Sequence, residues 1–260
     1  MTALPLEKRL IQRLDGGHKL LVIYLTAGLP SPQVFVDLYC EIGKYADVIE
    51  VGIPFSDPIM DGPIIQRAST KALEDGVTPE AALRITRQAL SYSETPAVFM
   101  SYFNPIHRMG VSEFAAAAAK SGASGLIVPD LPFDESSQLE KALSKKKVAL
   151  IQMVAPTTSA QRCARLAAAS HGWVYAVSRM GVTGEQMSLS DAAAEVVHRT
   201  KPHSKVPVLV GIGITNPAQA AEAAEEADGV IVGSAIVKRV LANDIDGAVE
   251  LARSLREALP

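Results

Sequence analysis

Two carboxylates close together in the chain have the setting that acid–base catalysis requires. Glu50 lies within an apolar run, residues 46–55, and Asp61 follows in a loop rich in proline and glycine. If the run is a strand, its alternation turns Glu50 to the same face as Val48 and Gly52, toward the interior. Burial there would raise the pKa of the carboxyl group toward neutrality, where it can both donate and accept a proton. The alternative is a structural glutamate that pairs with a buried cation.

Asp61 stands immediately before Gly62 and Pro63, where a helical pattern begins. A carboxylate in such a loop can act on a substrate at the strand ends, but it can equally cap the helix or stabilise a turn. Asp57, which precedes a proline, is typical of turn chemistry. We therefore take Glu50 and Asp61 as the candidate catalytic pair, with capping or turn chemistry as the alternative for Asp61.

Glycines at the ends of the last two apolar runs indicate a phosphate site. Gly211 and Gly213 close the seventh run and Gly233 closes the eighth, each ahead of a helical pattern. Glycine lets backbone N–H groups approach a ligand closely, and helix N-termini bind phosphate. The alternative is a pair of ordinary tight turns.

For the polar segment 178–186, which contains two glycines, we expect a mobile lid that becomes ordered when ligand binds.

Eight short runs rich in valine, isoleucine and leucine predict strands that are buried on both faces. They span residues 19–28, 46–55, 96–103, 125–130, 148–156, 173–179, 206–213 and 229–234. Helical patterns separate them, for example at 32–44, 79–91, 111–121, 135–146 and 216–227. This order predicts one α/β domain over residues 1–260, a (β/α)₈ TIM barrel with an extra N-terminal helix and, after strand 2, an extended loop and a helix at 63–73. A doubly wound open sheet is the competing fold, but no G-x-G-x-x-G motif follows the first run.

Composition and absent motifs argue against several classes of function. The net charge of -3 over 260 residues gives no basic surface of the kind that nucleic acids require. No run approaches the roughly 18 apolar residues of a membrane span. Cys40 and Cys163 belong to no paired motif, so we expect reduced thiols and a cytoplasmic location. No strand run ends in a lysine suited to a Schiff base and the histidines form no ligand cluster, so we expect no metal site.

Several motifs resemble those of one enzyme family over nearly the whole chain. They are EVGIPFSDPIMDGPIIQ, SYFNP, VPDLPFDES, SRMGVTG, GIGI and GSAIVK, of which the first is highly specific. The family is the α chain of tryptophan synthase. The resemblance implies a (β/α)₈ barrel that cleaves indole-3-glycerol phosphate to indole and glyceraldehyde 3-phosphate by a retro-aldol reaction. Leu29 departs from the family pattern, in which an aspartate is frequent.

The resemblance also implies roles for individual residues. Glu50 would be the general acid and base at C3 of the indole ring and at the glycerol hydroxyl, and Asp61 would accept a hydrogen bond from the indole N–H. The indole pocket would be lined by Tyr24, Met100, Ile127, Met153, Tyr175 and Ile231. The phosphate would lie against Gly184, Ile212, Gly213, Gly233 and Ser234. Thr183 would contact the loop of Asp61 from the lid.

A partner chain is the last implication of the resemblance. The family works with a β chain, which uses pyridoxal phosphate, in an α2β2 heterotetramer, so no cofactor is expected in the present chain. The apolar loop residues at 55–60, 103–109 and 130–135 would face that partner. Two other interpretations stay open, a stand-alone indole-releasing lyase and a catalytically silent barrel that only activates its partner. Intact Glu50 and Asp61 count against the silent barrel.

Overall fold

The fold is a closed barrel of eight parallel strands that pair in chain order, the last with the first. A computed structural model describes residues 3–177, 189–211 and 213–260. The strands are β1 (Leu20–Thr26), β2 (Val48–Gly52), β3 (Ala97–Met100), β4 (Ala123–Ile127), β5 (Ala149–Val154), β6 (Val174–Val177), β7 (Val208–Gly211) and β8 (Gly229–Val232). The predicted barrel is confirmed, and the open sheet is wrong. Only β4 begins earlier than predicted, because Ala123 pairs with Ala97 across a shift in register.

Helices alternate with the strands and form the outer layer. They are α1 (Pro5–Asp15), α2 (Pro32–Gly43), α3 (Pro63–Glu74), α4 (Pro79–Leu90), α5 (Phe103–Met109), α6 (Val111–Lys120), α7 (Ser137–Ser144), α8 (Ala160–Ala169), α9 (Leu189–Thr200), α10 (Pro217–Glu226), α11 (Ser234–Leu241) and α12 (Ile245–Ala258). The predicted extra helices are α1 and α3. Proline at the first turn and a capping side chain start α2, α4 and α10, where Ser31, Thr78 and Asn216 each accept a backbone N–H.

Side chains from alternate strand positions fill two separate parts of the core. Val48 of β2 packs inside the barrel with interior residues of other strands such as Val22 and Val98. Its neighbours Ile49 and Val51 pack outward against the helix layer. The alternation predicted for this strand is therefore confirmed, and it places Glu50 inside the barrel.

Helix α1 closes the amino-terminal end of the barrel. Leu6 and Leu10 are buried in the interior cluster together with Trp173, and burial of one such leucine contributes about 1.5–3 kcal/mol. Glu7 fixes the helix to the turn before β6, since its carboxylate lies 2.8 Å from Nδ1 of His171. With this end closed, a ligand enters the barrel from the carboxyl-terminal end of the strands.

Two expectations from composition concern cysteines and membranes. Cys40 and Cys163 are both free thiols, the first half-buried and the second buried. None of the helices in the described parts of the chain has the length and apolar character needed to cross a membrane.

Candidate active site

Glu50 is the central residue of β2, and its side chain lies inside the barrel. It is 1% exposed, and its Oε2 atom has no hydrogen-bond partner among the described residues. Burial, and secondly the charge of Asp61, raises the pKa of Glu50 to about 8. The alternative of a glutamate paired with a buried cation is wrong for the part of the chain described here. A carboxyl group whose pKa is raised to about 8 is mostly neutral at pH 7 and can donate its proton.

Asp61 approaches from the loop between β2 and α3, close enough for its charge to act on Glu50. Burial raises the pKa of Asp61 to about 6, while the nearby Tyr102 hydroxyl acts in the opposite direction and favours the carboxylate. The side chain of Gln66 donates to the Asp61 backbone carbonyl at 2.9 Å and so anchors the loop to α3. The N-cap position of α3 is Gly62, so Asp61 is not the N-cap residue of that helix.

The residues predicted to line an indole pocket surround Glu50 on neighbouring strands. Five of them lie in or against the interior cluster of the barrel: Met100, Ile127, Met153, Tyr175 and Ile231. The sixth, Tyr24, is the register partner of Glu50 across the β1–β2 pair and is 6% exposed. Glycines on neighbouring strands make room for both tyrosines. A methyl group added at Gly52 would overlap the Tyr24 hydroxyl, and one added at Gly211 would lie 2.6 Å from the Tyr175 ring. Apolar and aromatic side chains therefore surround the Glu50 carboxyl group inside the barrel.

The two glycine turns differ in what they leave open for an anion. After β7, Gly213 has a φ of 71°, which favours glycine, but the following helix is capped by Asn216. After β8, α11 begins at Ser234 behind Gly233 with no side-chain cap. Its first N–H groups are therefore the ones available to a phosphate. A cavity of about 420 Å³ beside this turn is lined by residues that include Ile64, Thr215, Ser234 and Lys238.

Comparison with known proteins decides the family. The family model described as tryptophan synthase alpha chain matches residues 11–258. The chain belongs to the tryptophan synthase α chain family. From that membership it follows that the chain is an α subunit in tryptophan biosynthesis. It also follows that the chain is a carbon–carbon lyase that acts on indole-3-glycerol phosphate.

Relatives and solved structures agree with the family. The chain is 43% identical to the tryptophan synthase α chain of Streptomyces avermitilis over 92% of its own length and 87% of the relative. It is 42% identical to that of Geobacillus kaustophilus, over 87% and 85%. A structure of Mycobacterium tuberculosis tryptophan synthase matches 99% of this chain and 98% of its own with a TM-score of 0.91 and 40% identity. The Legionella pneumophila α subunit matches with a TM-score of 0.88 and 35% identity, over 99% and 98%.

Some predicted features fall outside the described residues. They are Thr183, Gly184, Ile212 and the expected lid at 178–186. The described residues contain no group of three or more histidine, cysteine, aspartate or glutamate side chains arranged to hold a metal ion.

Sequence analysis gave no role to Tyr102, which the structure places against the loop of Asp61. The residue is 3% exposed, although it lies in the segment that follows β3. Its signal in the sequence was the motif SYFNP, which also marks the family. Nothing in that motif indicates which distant loop the phenol contacts.

Proposed function

We propose that Glu50 and Asp61 act as a catalytic pair when this α chain cleaves indole-3-glycerol phosphate. The observation that carries the proposal is the buried Glu50 carboxyl group, whose Oε2 atom has no hydrogen-bond partner among the described residues and which lies within reach of the charge of Asp61. Two acids in different surroundings can take different roles in one reaction. At pH 7, a pKa of about 8 keeps Glu50 protonated, and a pKa of about 6 leaves most Asp61 ionised.

The first step is proton transfer to the indole ring. Glu50 gives its proton to C3, and the ring becomes a cationic indolenine whose positive charge rests largely on the ring nitrogen. The carboxylate of Asp61 accepts a hydrogen bond from that N–H and stabilises the charge where it develops. Protonation at C3 makes the bond from C3 to the glycerol side chain the bond that breaks.

The second step is the retro-aldol cleavage. The carboxylate of Glu50 removes the proton from the hydroxyl on the side-chain carbon attached to C3. That carbon becomes the aldehyde of glyceraldehyde 3-phosphate, and the electrons of the broken bond return to the ring to give indole. Glu50 ends the cycle protonated, as it began, so one carboxyl group serves as both acid and base.

Binding is divided between the ring and the phosphate. The indole ring would occupy the apolar space lined by Tyr24, Met100, Ile127, Met153, Tyr175 and Ile231. The phosphate would accept hydrogen bonds at the open N-terminus of α11, near Gly213, Gly233 and Ser234. Gly184 and Ile212 are proposed for the same phosphate site, and Thr183 for contact with the loop of Asp61.

A β chain is the proposed partner, in an α2β2 complex in which pyridoxal phosphate belongs to the β chain. The loop that carries Asp61 exposes apolar side chains, with Ile59 79% and Met60 49% exposed. Large exposed apolar side chains on the catalytic face suit an interface. A β chain docked there would restrict the Asp61 loop, and a coupling of about 1–3 kcal/mol would activate cleavage roughly 5- to 150-fold.

The test is the rate of indole release from indole-3-glycerol phosphate by four proteins. Glu50→Gln should lower kcat by about 10²- to 10⁴-fold. Asp61→Asn should lower it by roughly 10- to 150-fold, which corresponds to a hydrogen bond to a charged group. The matched control is Asp57→Asn, which changes an exposed carboxylate on the same loop and should leave kcat unchanged.

Binding of an indole alkyl phosphate that lacks the glycerol hydroxyls separates chemistry from affinity. We expect the Gln and Asn variants to bind it within a few-fold of the wild type. A Glu50→Gln protein that is folded and turns over at the wild-type rate would remove Glu50 from the mechanism. An Asp61→Asn protein that binds weakly but turns over at full speed when saturated would reduce Asp61 to a binding residue.

A further inference from the structure

Tyr102 holds the loop of Asp61 at two points. Its hydroxyl accepts a hydrogen bond from the backbone N–H of Met60 at 2.9 Å. Its ring stacks on Phe55, with ring centroids 5.2 Å apart and planes inclined by 29°. Phe55 stands near the start of the loop and Met60 directly before the carboxylate. The loop is therefore held on both sides of its exposed turn by one buried phenol.

The same hydroxyl also reaches the catalytic carboxylate. The Met60 N–H occupies an oxygen lone pair of this hydroxyl, so its single hydrogen can turn toward the Asp61 carboxylate, whose charged form Tyr102 favours. This order of donor and acceptor suits an ionised Asp61, which only accepts. The backbone N–H of the next residue, Phe103, donates to Asp130 Oδ1 at 2.8 Å and ties the Tyr102 segment to the loop after β4. Tyr102 is thus itself anchored.

The other groups that face Asp61 are acids. Glu50, Tyr24 and Tyr175 each have a pKa that burial raises and that the charge of Asp61 raises further. Asp130 acts on the Tyr102 hydroxyl in the same direction. Among the described residues, no lysine or arginine contributes to the pKa of Asp61. The Tyr102 hydroxyl is therefore the described group that favours the carboxylate form.

We infer that Tyr102 is a positioning residue for the lyase reaction, whose ring and hydroxyl hold the Asp61 loop so that the carboxylate meets the indole N–H of the substrate. The inference rests on the proposed function of Asp61. Tyr102 acts through that carboxylate and forms no bond in the reaction. Without the hydroxyl, Asp61 loses both a fixed position and the donor that favours its charge.

The test is Tyr102→Phe, which keeps the ring that stacks on Phe55 and removes only the hydroxyl. We expect kcat/KM at pH 7 to fall by roughly 10- to 150-fold, the effect of one hydrogen bond to a charged group. The loss should appear in kcat more than in KM. The acid limb of the kcat/KM profile should move to higher pH, because the pKa of Asp61 rises when the donor is gone.

A matched control and a double variant separate positioning from general damage. Tyr39→Phe also removes a buried hydroxyl, one that donates to the Thr95 carbonyl at 2.7 Å, and should leave the pH profile in place. In an Asp61→Asn background, Tyr102→Phe should cost far less than in the wild type, because both changes remove one interaction.

Two results would overturn the inference. In the first, the acid limb of the kcat/KM profile stays in place in Tyr102→Phe, whereas Asp61→Asn abolishes it. This result would keep the role of Asp61 and remove that of Tyr102. The other is an equal loss from Tyr102→Phe in both backgrounds. If Asp61→Asn keeps the wild-type kcat and the acid limb, the proposed function of Asp61 fails, and the inference about Tyr102 falls with it.

Discussion

Replacing Glu50 with glutamine should make the protein more stable as well as inactive, and the gain should grow with pH. The native carboxyl group has a pKa of about 8, whereas its ordinary value is 4.5. Below pH 4.5 both folded and unfolded chains carry the proton. Between pH 4.5 and 8 the unfolded chain ionises and the folded chain does not, so stability is lost as the pH rises. Glutamine has nearly the same shape and no proton to lose.

The size of the effect follows from the two pKa values. They differ by about 3.5, and each pKa unit corresponds to about 1.36 kcal/mol. The wild type should therefore lose about 5 kcal/mol relative to Glu50→Gln between pH 4.5 and 9, of which about 3 kcal/mol is already lost at pH 7. That is a large share of the roughly 5–15 kcal/mol by which a folded domain is stable.

Urea unfolding of both proteins at pH 5, 7 and 9 measures this difference. The result that matters is the change with pH in the difference between the two free energies of unfolding, since any fixed cost of a buried amide cancels. Asp57→Asn is the control, because Asp57 is exposed and should change this slope little. Parallel pH dependence of the wild type and Glu50→Gln would refute the claim that Glu50 is buried as a neutral acid.

Two further predictions concern the phosphate and the partner. Gly213→Ala should raise KM by about 5- to 30-fold, because alanine disfavours the positive φ of 71° by roughly 1–2 kcal/mol and the turn must adopt that conformation to bind the phosphate. An unchanged KM in steady-state assays would place the phosphate elsewhere. Ile59→Ser should leave basal indole release unchanged and reduce the activation of indole release by the β chain, because Ile59 is exposed on the Asp61 loop. If added β chain activates the wild type and Ile59→Ser equally, this side chain is not part of the interface.

The barrel could be predicted from the sequence because buried parallel strands have a simple pattern. Each strand is covered on both faces, so its residues are almost continuously apolar, and Glu50 was conspicuous as an acid directly between Ile49 and Val51. The period of two then placed it on the interior face with Val48. The sequence could not show that Glu50 Oε2 would lack a hydrogen-bond partner among the described residues, since that depends on the side chains of every strand around the barrel.

The remaining features of the site depend on contacts between segments far apart in the chain. Tyr102 and Met60 meet only because β2 and β3 are neighbours, so the sequence could not assign the phenol to the Asp61 loop. The two glycine turns looked alike in sequence. They differ because Asn216 folds back to cap its own helix, while Gly233 has no side chain with which to do so.

The pH dependence of kcat/KM for indole release tests the central claim most directly, namely that a neutral Glu50 and an ionised Asp61 act together. Because the reaction needs Asp61 ionised, activity should rise with pH through about 6, and because it needs Glu50 protonated, activity should fall through about 8. Asp61→Asn should remove the acid limb and keep the basic one. A wild-type profile that is flat from pH 5 to 9, or an acid limb that survives in Asp61→Asn, would contradict the account.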